Sequence, residues 1–359
     1  MLLEHTTIKE IAERANVSTA TVSRILNGKH CHRSSTVETV RRAIEELRAE
    51  GPVLTGFETA AAESVGIMMF SYRDFLNTNY TATLVTAMVE ALTAEDLSVQ
   101  LLTLSSKRLS IGYIESMIRA HRLRGLLIPE FDILYAISEK LVKLPIPVIG
   151  IGNLAEPGLP NCVCADNTGA GRDAANYLWS MGHRRFGLLS MAYSDICQRQ
   201  RITGFRDTIQ ELGGNPGQVW SRQYRSQDDS VSGAVSELAN MKNPPTAILS
   251  TNSQITLKLQ SGLVQAGFRI PDDISLLSFE ENGELEFQPV PISVLRQPTR
   301  SLGEVAVRML INCIRDIPVN RQEVLNCSLI ARESVRNLAG AAELTPMEED
   351  TFYQRVTGS

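Results

Sequence analysis

From Val65 to about residue 330 the sequence alternates short apolar runs with amphipathic stretches, and this alternation limits most tightly what the chain can fold into. The runs Val65–Phe70, Val99–Leu104, Gly125–Ile128, Pro147–Ile151, Cys162–Ala165, Phe186–Ser190, Thr246–Ser250, Ile274–Phe279 and Ser293–Leu295 have the length and texture of buried strands. Between them Leu84–Ala94, Ile111–His121, Ala170–Met181, Ile202–Leu212, Val231–Met241 and Thr256–Ala266 place apolar residues at helical spacing. Strand and helix in this rhythm predict repeated β-α-β units, hence parallel sheets. The number of strands predicts two sheets, each a doubly wound lobe. A helix over Leu302–Ile314 and a last strand near Val324–Ile330 complete the body.

At 359 residues the chain is expected to hold two to three domains, and its 43% hydrophobic and 21% charged composition suits a globular protein. It contains no run of about 18 apolar residues, so no transmembrane helix is predicted. The start Met-Leu-Leu-Glu-His lacks the basic and apolar segments of a signal peptide, and a cytoplasmic protein is expected. The six cysteines (Cys31, Cys162, Cys164, Cys197, Cys313, Cys327) are scattered without zinc-site pairs, so reduced thiols are expected and neither metal nor cofactor. Cys162 and Cys164 fall on one face of a predicted strand, which suits packing.

Ahead of the alternating body stands Thr7 to Lys29. Ile8, Ile11, Ala12 and Ala15 recur at helical spacing, with Thr7 and Glu10 placed as a capping box. Asn16-Val17-Ser18 interrupts the pattern, and Ser18 is positioned to cap a second helix from Thr19 to Leu26, which Asn27-Gly28 stops. Two short helices and a tight turn form a helix-turn-helix. Val22, Ile25 and Leu26 turn inward, leaving Thr19, Ala20, Ser23 and Arg24 outward on a surface slim enough to enter a major groove. A third helix, about Ser34 to Glu50, carries Val37, Val40, Ile44 and Leu47 on one face and closes a three-helix core. From Val17 to Arg42 five cations (Arg24, Lys29, Arg33, Arg41, Arg42) face one acid, Glu38, in a chain of net charge -5. A local positive field of this kind is what phosphate binding requires.

The pattern A-x-x-A-x-V-S-x-x-T-V-S-R-x-L-N from Ala12 to Asn27, followed by A-I-E-E-L from Ala43 to Leu47, resembles the lactose-repressor (LacI/GalR) family of bacterial regulators. The body adds D-N-T-G-A-G at Asp166, M-G-H-R-R at Met181, R-I-T-G-F at Arg201, P-T-A-I-L-S-T-N at Pro245, I-P-D-D-I-S-L-L-S-F at Ile270 and R-Q-P at Arg296, so the resemblance covers residues 6 to about 336. It implies a two-lobed body similar to periplasmic sugar-binding proteins, with three crossovers and a ligand in the cleft. On the head, Thr19, Ala20 and Arg24 are expected at base edges and Ser18, Thr21, Asn27 and Lys29 at phosphates, with Thr7 and Ser23 in the same surface. In the family the linker contains a tyrosine-x-proline-asparagine step and a hinge helix that presses leucines into the minor groove. Here Gly51-Pro52 replaces that step, and Leu54 and Phe57 are the candidate wedges.

Open α/β sheets bind ligands beyond the carboxyl ends of their strands. The residues just past the predicted ends are Tyr72, Asp74, Asp166, Arg199, Arg201, Asn252 and Glu280. By resemblance Arg201 falls on the arginine that grips effectors, Asn252 on a pocket asparagine and Glu280 on a pocket aspartate. An arginine beside acid and amide groups suits sugar hydroxyls, which both donate and accept. The chain departs from the family at Ser253, where an aspartate is usual, and at the longer Glu280. Asp166 is expected to cap the helix that follows it. A dinucleotide reading of Gly150-Ile151-Gly152-Asn153-Leu154-Ala155 is opposed by Pro157, Gly158 and Pro160, which obstruct the helix such a site needs. No nucleophile, metalloprotease or P-loop pattern is present, and no enzyme is expected.

The sequence therefore predicts an all-α helix-turn-helix head over residues 6–50, a linker over 51–64, a two-lobed α/β body over 65–337 and an acidic tail over 338–359. The expected function is regulation of transcription, as a repressor on a near-palindromic operator, with a sugar-like effector as ligand and a homodimer or higher oligomer as the assembly. The alternatives are a solute-binding protein with no DNA role and a regulator whose cleft has lost its ligand.

Overall fold

The computed structural model describes residues 8–26, 34–50, 64–70, 79–104, 110–129, 138–152, 161–191, 196–224, 231–279 and 283–340. The chain divides into two units, Met1–Ala61 and Ala62–Ser359.

In the first unit helices α1 (Ile8–Arg14), α2 (Thr19–Leu26) and α3 (Ser34–Glu50) appear where the periodicity put them. Asn16 ends α1 at φ 50°, a left-handed conformation that asparagine tolerates, while Val17 N–H bonds to the Ala12 carbonyl at 3.0 Å and Asn16 N–H to that of Glu13 at 3.2 Å. The reversed chain then starts α2, whose first turn is held by the Ser18 hydroxyl accepting from Thr21 N–H at 3.2 Å. Ile11, Ala12, Ala15, Val22, Val40 and Ala43 form the small core, with Val17 and Ile25 packed against it. Thr7, Asn27 and Lys29, and the side chains of Ile8, Glu10, Leu26, Ile44 and Leu47, lie outside the described residues. So do Leu54 and Phe57.

The second unit holds two six-stranded sheets. The first lobe is built by β1 (Ser64–Phe70), α4 (Asn79–Thr93), β2 (Ser98–Leu104), α5 (Ile111–Ala120), β3 (Leu123–Ile128), α6 (Ser138–Leu141), β4 (Val148–Ile151) and β5 (Asn161–Ala165). The chain then enters the second lobe through α7 (Asn167–Ser180), β6 (Phe186–Met191), α8 (Ile196–Glu211), β7 (Trp220–Tyr224), α9 (Ser232–Asn240), β8 (Ala247–Ser250), α10 (Ser253–Gln265), β9 (Ser275–Phe279), α11 (Gly283–Glu286) and β10 (Ser293–Arg296). It returns to the first lobe as α12 (Thr299–Ile314) and β11 (Gln322–Leu325), and ends in the second with β12 (Ser328–Ile330). The orders are β11-β5-β4-β3-β1-β2 and β12-β10-β9-β8-β6-β7, and every pairing is parallel except β10 with β12.

Three crossovers join the lobes, as the resemblance implied, and the last corrects the sequence reading. The single strand expected at Val324–Ile330 is two strands: β11 pairs with β5 and β12 with β10, and the chain changes lobe between them. Strand β7 was not anticipated. It lies at a sheet edge with Ser221, Arg222 and Gln223 exposed, so it carries no apolar run. Most helices also begin earlier than their apolar stripes, because their first turns are polar. As a result Arg199 and Arg201 stand within α8, not in a loop past a strand.

Each sheet is covered on both faces, giving two apolar clusters in each lobe. Buried side chains such as Leu84, Leu127, Leu259 and Phe205 each stabilise the fold by about 2 kcal/mol relative to exposure. Cys162 and Cys164 are buried on one strand face, and no disulfide joins cysteines among the described residues. At the far edge of the second lobe His183 is buried between Thr246 Oγ1, 2.9 Å from Nδ1, and the Arg336 carbonyl, 3.1 Å from Nε2. Leu338 N–H bonds nearby to the Met181 carbonyl at 2.7 Å. No helix among the described residues is long and apolar enough to cross a membrane.

Candidate functional site

On the head, Ser18, Thr19, Ala20 and Arg24 are exposed, Thr21 and Ser23 are half-buried, and Val22 is fully buried. The helix therefore turns toward solvent the short polar residues that the sequence singled out. The Ser18 and Thr21 hydroxyls lie 2.9 Å apart, so the pair expected to meet phosphate also braces the start of α2.

In the body, polar side chains gather at the carboxyl ends of β6, β8 and β9. Arg201 is 3% exposed, and its Nε donates to Asn167 Oδ1 at 2.8 Å and its Nη1 to the Thr251 carbonyl at 3.1 Å. Its guanidinium lies 4.8 Å from the centroid of the Phe279 ring. Both of these acceptors are neutral, and they fix the direction of the guanidinium. On β6, on α8 and just past β8, Ser190 Oγ, Gln198 Oε1 and Thr251 Oγ1 are buried with no hydrogen-bond partner among the described residues. Buried polar atoms are rarely left unpaired, because each costs about 1 to 3 kcal/mol. These three leave bonding capacity that a bound molecule or water can take up, as do Gln200 Oε1, Arg206 Nε and Gln260 Oε1 elsewhere in the lobe.

The first crossover organises this cluster. Asp166 caps α7, its Oδ1 accepting from Gly169 N–H at 2.7 Å, and its own N–H bonds to the Leu325 carbonyl at 2.8 Å, tying the first crossover to the third. Asn167 donates to the Ala165 carbonyl at 3.2 Å while holding Arg201 with its oxygen, so one amide links the end of β5 in the first lobe to the arginine of the second. At the third crossover Cys327 packs against the cores of both lobes. Burial pushes its thiol up to about 11, against the pull of Arg201, so it stays protonated. Asp173 is raised by burial and then by the charge of Asp166.

Asn252 caps α10, its side-chain oxygen accepting from Gln254 N–H at 2.9 Å and Ile255 N–H at 3.3 Å. Arg199, two residues from Arg201 on α8, turns elsewhere and is exposed. Arg201, Asn252 and Asp166 thus share the crossover edge, while Tyr72, Asp74 and Glu280 lie outside the described residues. Sequence reasoning missed Asn167, the residue after the cap in D-N-T-G-A-G, together with Ser190, Gln198 and Thr251. It also missed a cleft of about 280 Å³ at the second crossover, where Asn79, Tyr80 and Thr83 of α4 face Arg296, Gln297 and Thr299. The R-Q-P step quoted from the sequence forms one wall of that cleft.

A helix-turn-helix head in one chain with two doubly wound lobes and three crossovers defines a DNA-binding domain joined to an effector-binding domain. Residues 7–48 match the model of the bacterial regulatory proteins of the lacI family, and residues 175–335 that of a periplasmic binding protein-like domain. The head is thus that of the lacI family of bacterial regulatory proteins, in one chain with a periplasmic binding protein-like domain. The chain is 25% identical over 339 residues to the HTH-type transcriptional repressor PurR of Vibrio vulnificus, covering 92% of this chain and 99% of the relative. It is likewise 25% identical over 346 residues to the probable HTH-type transcriptional regulator EndR of Paenibacillus polymyxa, covering 93% and 99%. The fold is that of the lac repressor dimer bound to operator and an anti-inducer (22% identity, 92% of this chain and 99% of that one, TM-score 0.64). It is also that of the transcriptional regulator CelR in complex with cellobiose (22% identity, 92% and 100%, TM-score 0.64).

Proposed function

We propose that this protein is a transcriptional repressor that binds a near-palindromic operator as a homodimer and is controlled by a small ligand, a sugar or sugar derivative, held between its lobes. The carrying observation is the exposed face of α2, where Thr19, Ala20 and Arg24 stand clear of the head's core. Such a face suits base edges in a major groove, with Ser18, Thr21, Asn27 and Lys29 on phosphates. A head this small binds weakly alone, and two-fold pairing doubles the contacts. Phe287 is 82% exposed, Val264 59% and Leu101 54%, apolar surface that a second copy would cover. The relatives are named repressors, and solved structures of this fold hold cellobiose and ribose, which supports a carbohydrate ligand here.

The mechanism is linkage: a ligand that prefers one arrangement of the lobes favours one spacing of the two heads, and that spacing fits or misfits the half-sites. Replacing Arg24 by Ala is expected to weaken binding to a selected operator by about 1 to 3 kcal/mol, measured by gel shift at fixed salt. Unchanged affinity would remove α2 from the reading. For the cleft, a thermal-shift screen of sugars and sugar phosphates is expected to yield a ligand adding about 2.7 kcal/mol at 100 times its dissociation constant. Arg201→Ala should abolish that shift, and a shift of full size in the variant would take Arg201 out of the site.

A further inference from the structure

The amino-terminal edge of the first lobe's sheet, where the chain enters the body, carries an unusual charge pattern. Ser64 begins β1 and its hydroxyl donates to the His121 carbonyl at 2.9 Å, which sets the turn after α5 beside the entry point. On that turn Arg119 and Arg122 are exposed, with Arg124 on the first residues of β3. The next loop along the edge adds Lys140 and Lys143, also exposed. The two loops stand side by side because Ile118, Leu123, Leu141 and Leu144 share one apolar cluster, and because Leu126 N–H bonds to the Pro147 carbonyl at 3.0 Å.

Four cations of this patch are not paired with carboxylates among the described residues, unlike a set of arginines elsewhere in the body. Arg222, Arg269, Arg300, Arg315, Arg332 and Arg336 each sit against a carboxylate. Arg119, Arg122, Lys140 and Lys143 have no such partner among the described residues. The nearest acids in sequence are Glu115, four residues before Arg119 on α5, and Glu139, beside Lys140 on α6, while Glu95 is bound to Arg315 and Asp96 stands ahead of β2. Among the described residues no ion pair joins Glu115, Glu95 or Asp96 to these four cations. The carbonyl end of α5 attracts a cation in its last turn and so accounts for Arg119. It does not account for two lysines on another element. In a chain of net charge -5, these four cations, with Arg124, outnumber Glu115 and Glu139 on α5 and α6, and the local excess of positive charge favours a polyanion.

We propose that this edge binds the phosphate backbone of double-stranded DNA flanking the recognised site, as a second, sequence-independent contact surface. The proposal rests on the head being DNA-binding, and residues 51–63, which can span at most about 45 Å, tether the entry edge of the body to that head. Guanidinium and ammonium groups neutralise phosphates without reading bases, and each contact steepens the salt dependence of log K by about 0.9.

The test uses the full-length protein and a site selected from a random pool, presented on a minimal duplex and on one extended by about two helical turns at each end. The variant Arg119→Gln/Arg122→Gln/Lys143→Gln alters exposed side chains only, and circular dichroism checks its fold. The wild type is expected to bind the long duplex on the order of 10-fold more tightly than the short one at low salt. The variant should keep its affinity for the short duplex, lose the gain from length, and show a salt slope shallower by about 2 to 3. Equal gain from length and an equal slope in the two proteins overturn the proposal while leaving the head's role intact. Failure of the wild type to bind either duplex overturns the reading of the head and this proposal with it.

Discussion

Replacing Gly204 by Ala is expected to lower the stability of the body by about 3 kcal/mol and its melting temperature by about 5 °C. Helices α7 and α8 cross at contact distance because each presents a glycine to the other's backbone. A methyl group on Gly204 would lie 2.1 Å from the Thr168 carbonyl oxygen, and one on Gly171 would lie 2.2 Å from that of Arg201. Both obstacles are main chain, so no rotamer change relieves them and the helices must move apart. The crossing carries Arg201 and its partner Asn167, and parting it lengthens their 2.8 Å bond. Gly204→Ala should therefore also weaken any ligand that Arg201 holds. Gly171→Ala is expected to cost a similar amount, and the double variant less than the two together, since helices already separated accommodate the second methyl. Gly112, the second residue of α5 with nothing within 4 Å of an added methyl, is the control: Gly112→Ala should stabilise by about 0.4 to 1 kcal/mol. Calorimetry on the three variants checks the set, and a Gly204→Ala protein melting within about 2 °C of the wild type would mean that the crossing is not tight.

That crossing was not legible in the sequence, although both glycines sit in stretches that were read. Apolar periodicity locates strands that are buried on both faces, which is why β1, β3, β6, β8 and β9 were found close to their true limits. It fails at edges. Strand β7, Trp-Ser-Arg-Gln-Tyr, has three consecutive exposed residues and reads as a loop. It fails also where the chain changes lobe without a breaker: Leu325-Asn326-Cys327-Ser328 contains neither Gly nor Pro, so β11 and β12 read as one strand. Local chemistry was legible where it is truly local. Asp166 with Gly169 three residues on is a capping pattern, and so is Ser18 with Thr21. The arrangement that holds Arg201 is not local, because Asn167 lies 34 residues away in sequence and Thr251 lies 50. Only the packed fold brings them together. The head was the most legible part because its core residues lie within the short span from Ile11 to Ala43.

Acidification from pH 6.5 to pH 4 is expected to destabilise the body through His183. The imidazole is held down to about 4, chiefly because burial penalises its charged form; the bond to the Arg336 carbonyl opposes this and the nearby Arg184 charge adds to it. The ring is therefore neutral in the fold but takes up a proton near pH 6.5 once unfolded, so the unfolded state binds more protons across this interval. Stability is fully present above pH 6.5, falls as pH drops toward 4 and levels off below. At about 1.4 kcal/mol per pH unit the loss approaches about 3 kcal/mol. Asp173 works in the opposite sense, since its raised carboxyl binds its proton earlier in the fold than in the unfolded chain. Asp273, held down to about 2 chiefly by its hydrogen bond from the Arg269 side chain, contributes stability that is lost only below about pH 3.8, outside the interval. His183→Gln isolates the histidine, because it leaves both carboxylates in place. The variant should be less stable at pH 7, having lost the 2.9 Å and 3.1 Å contacts that join Thr246 and Arg336, yet its stability should fall less between pH 6.5 and 4. Denaturant midpoints at pH 7, 5.5 and 4 measure the difference, and parallel curves for the two proteins would show that His183 takes up its proton as readily in the fold as in the unfolded chain.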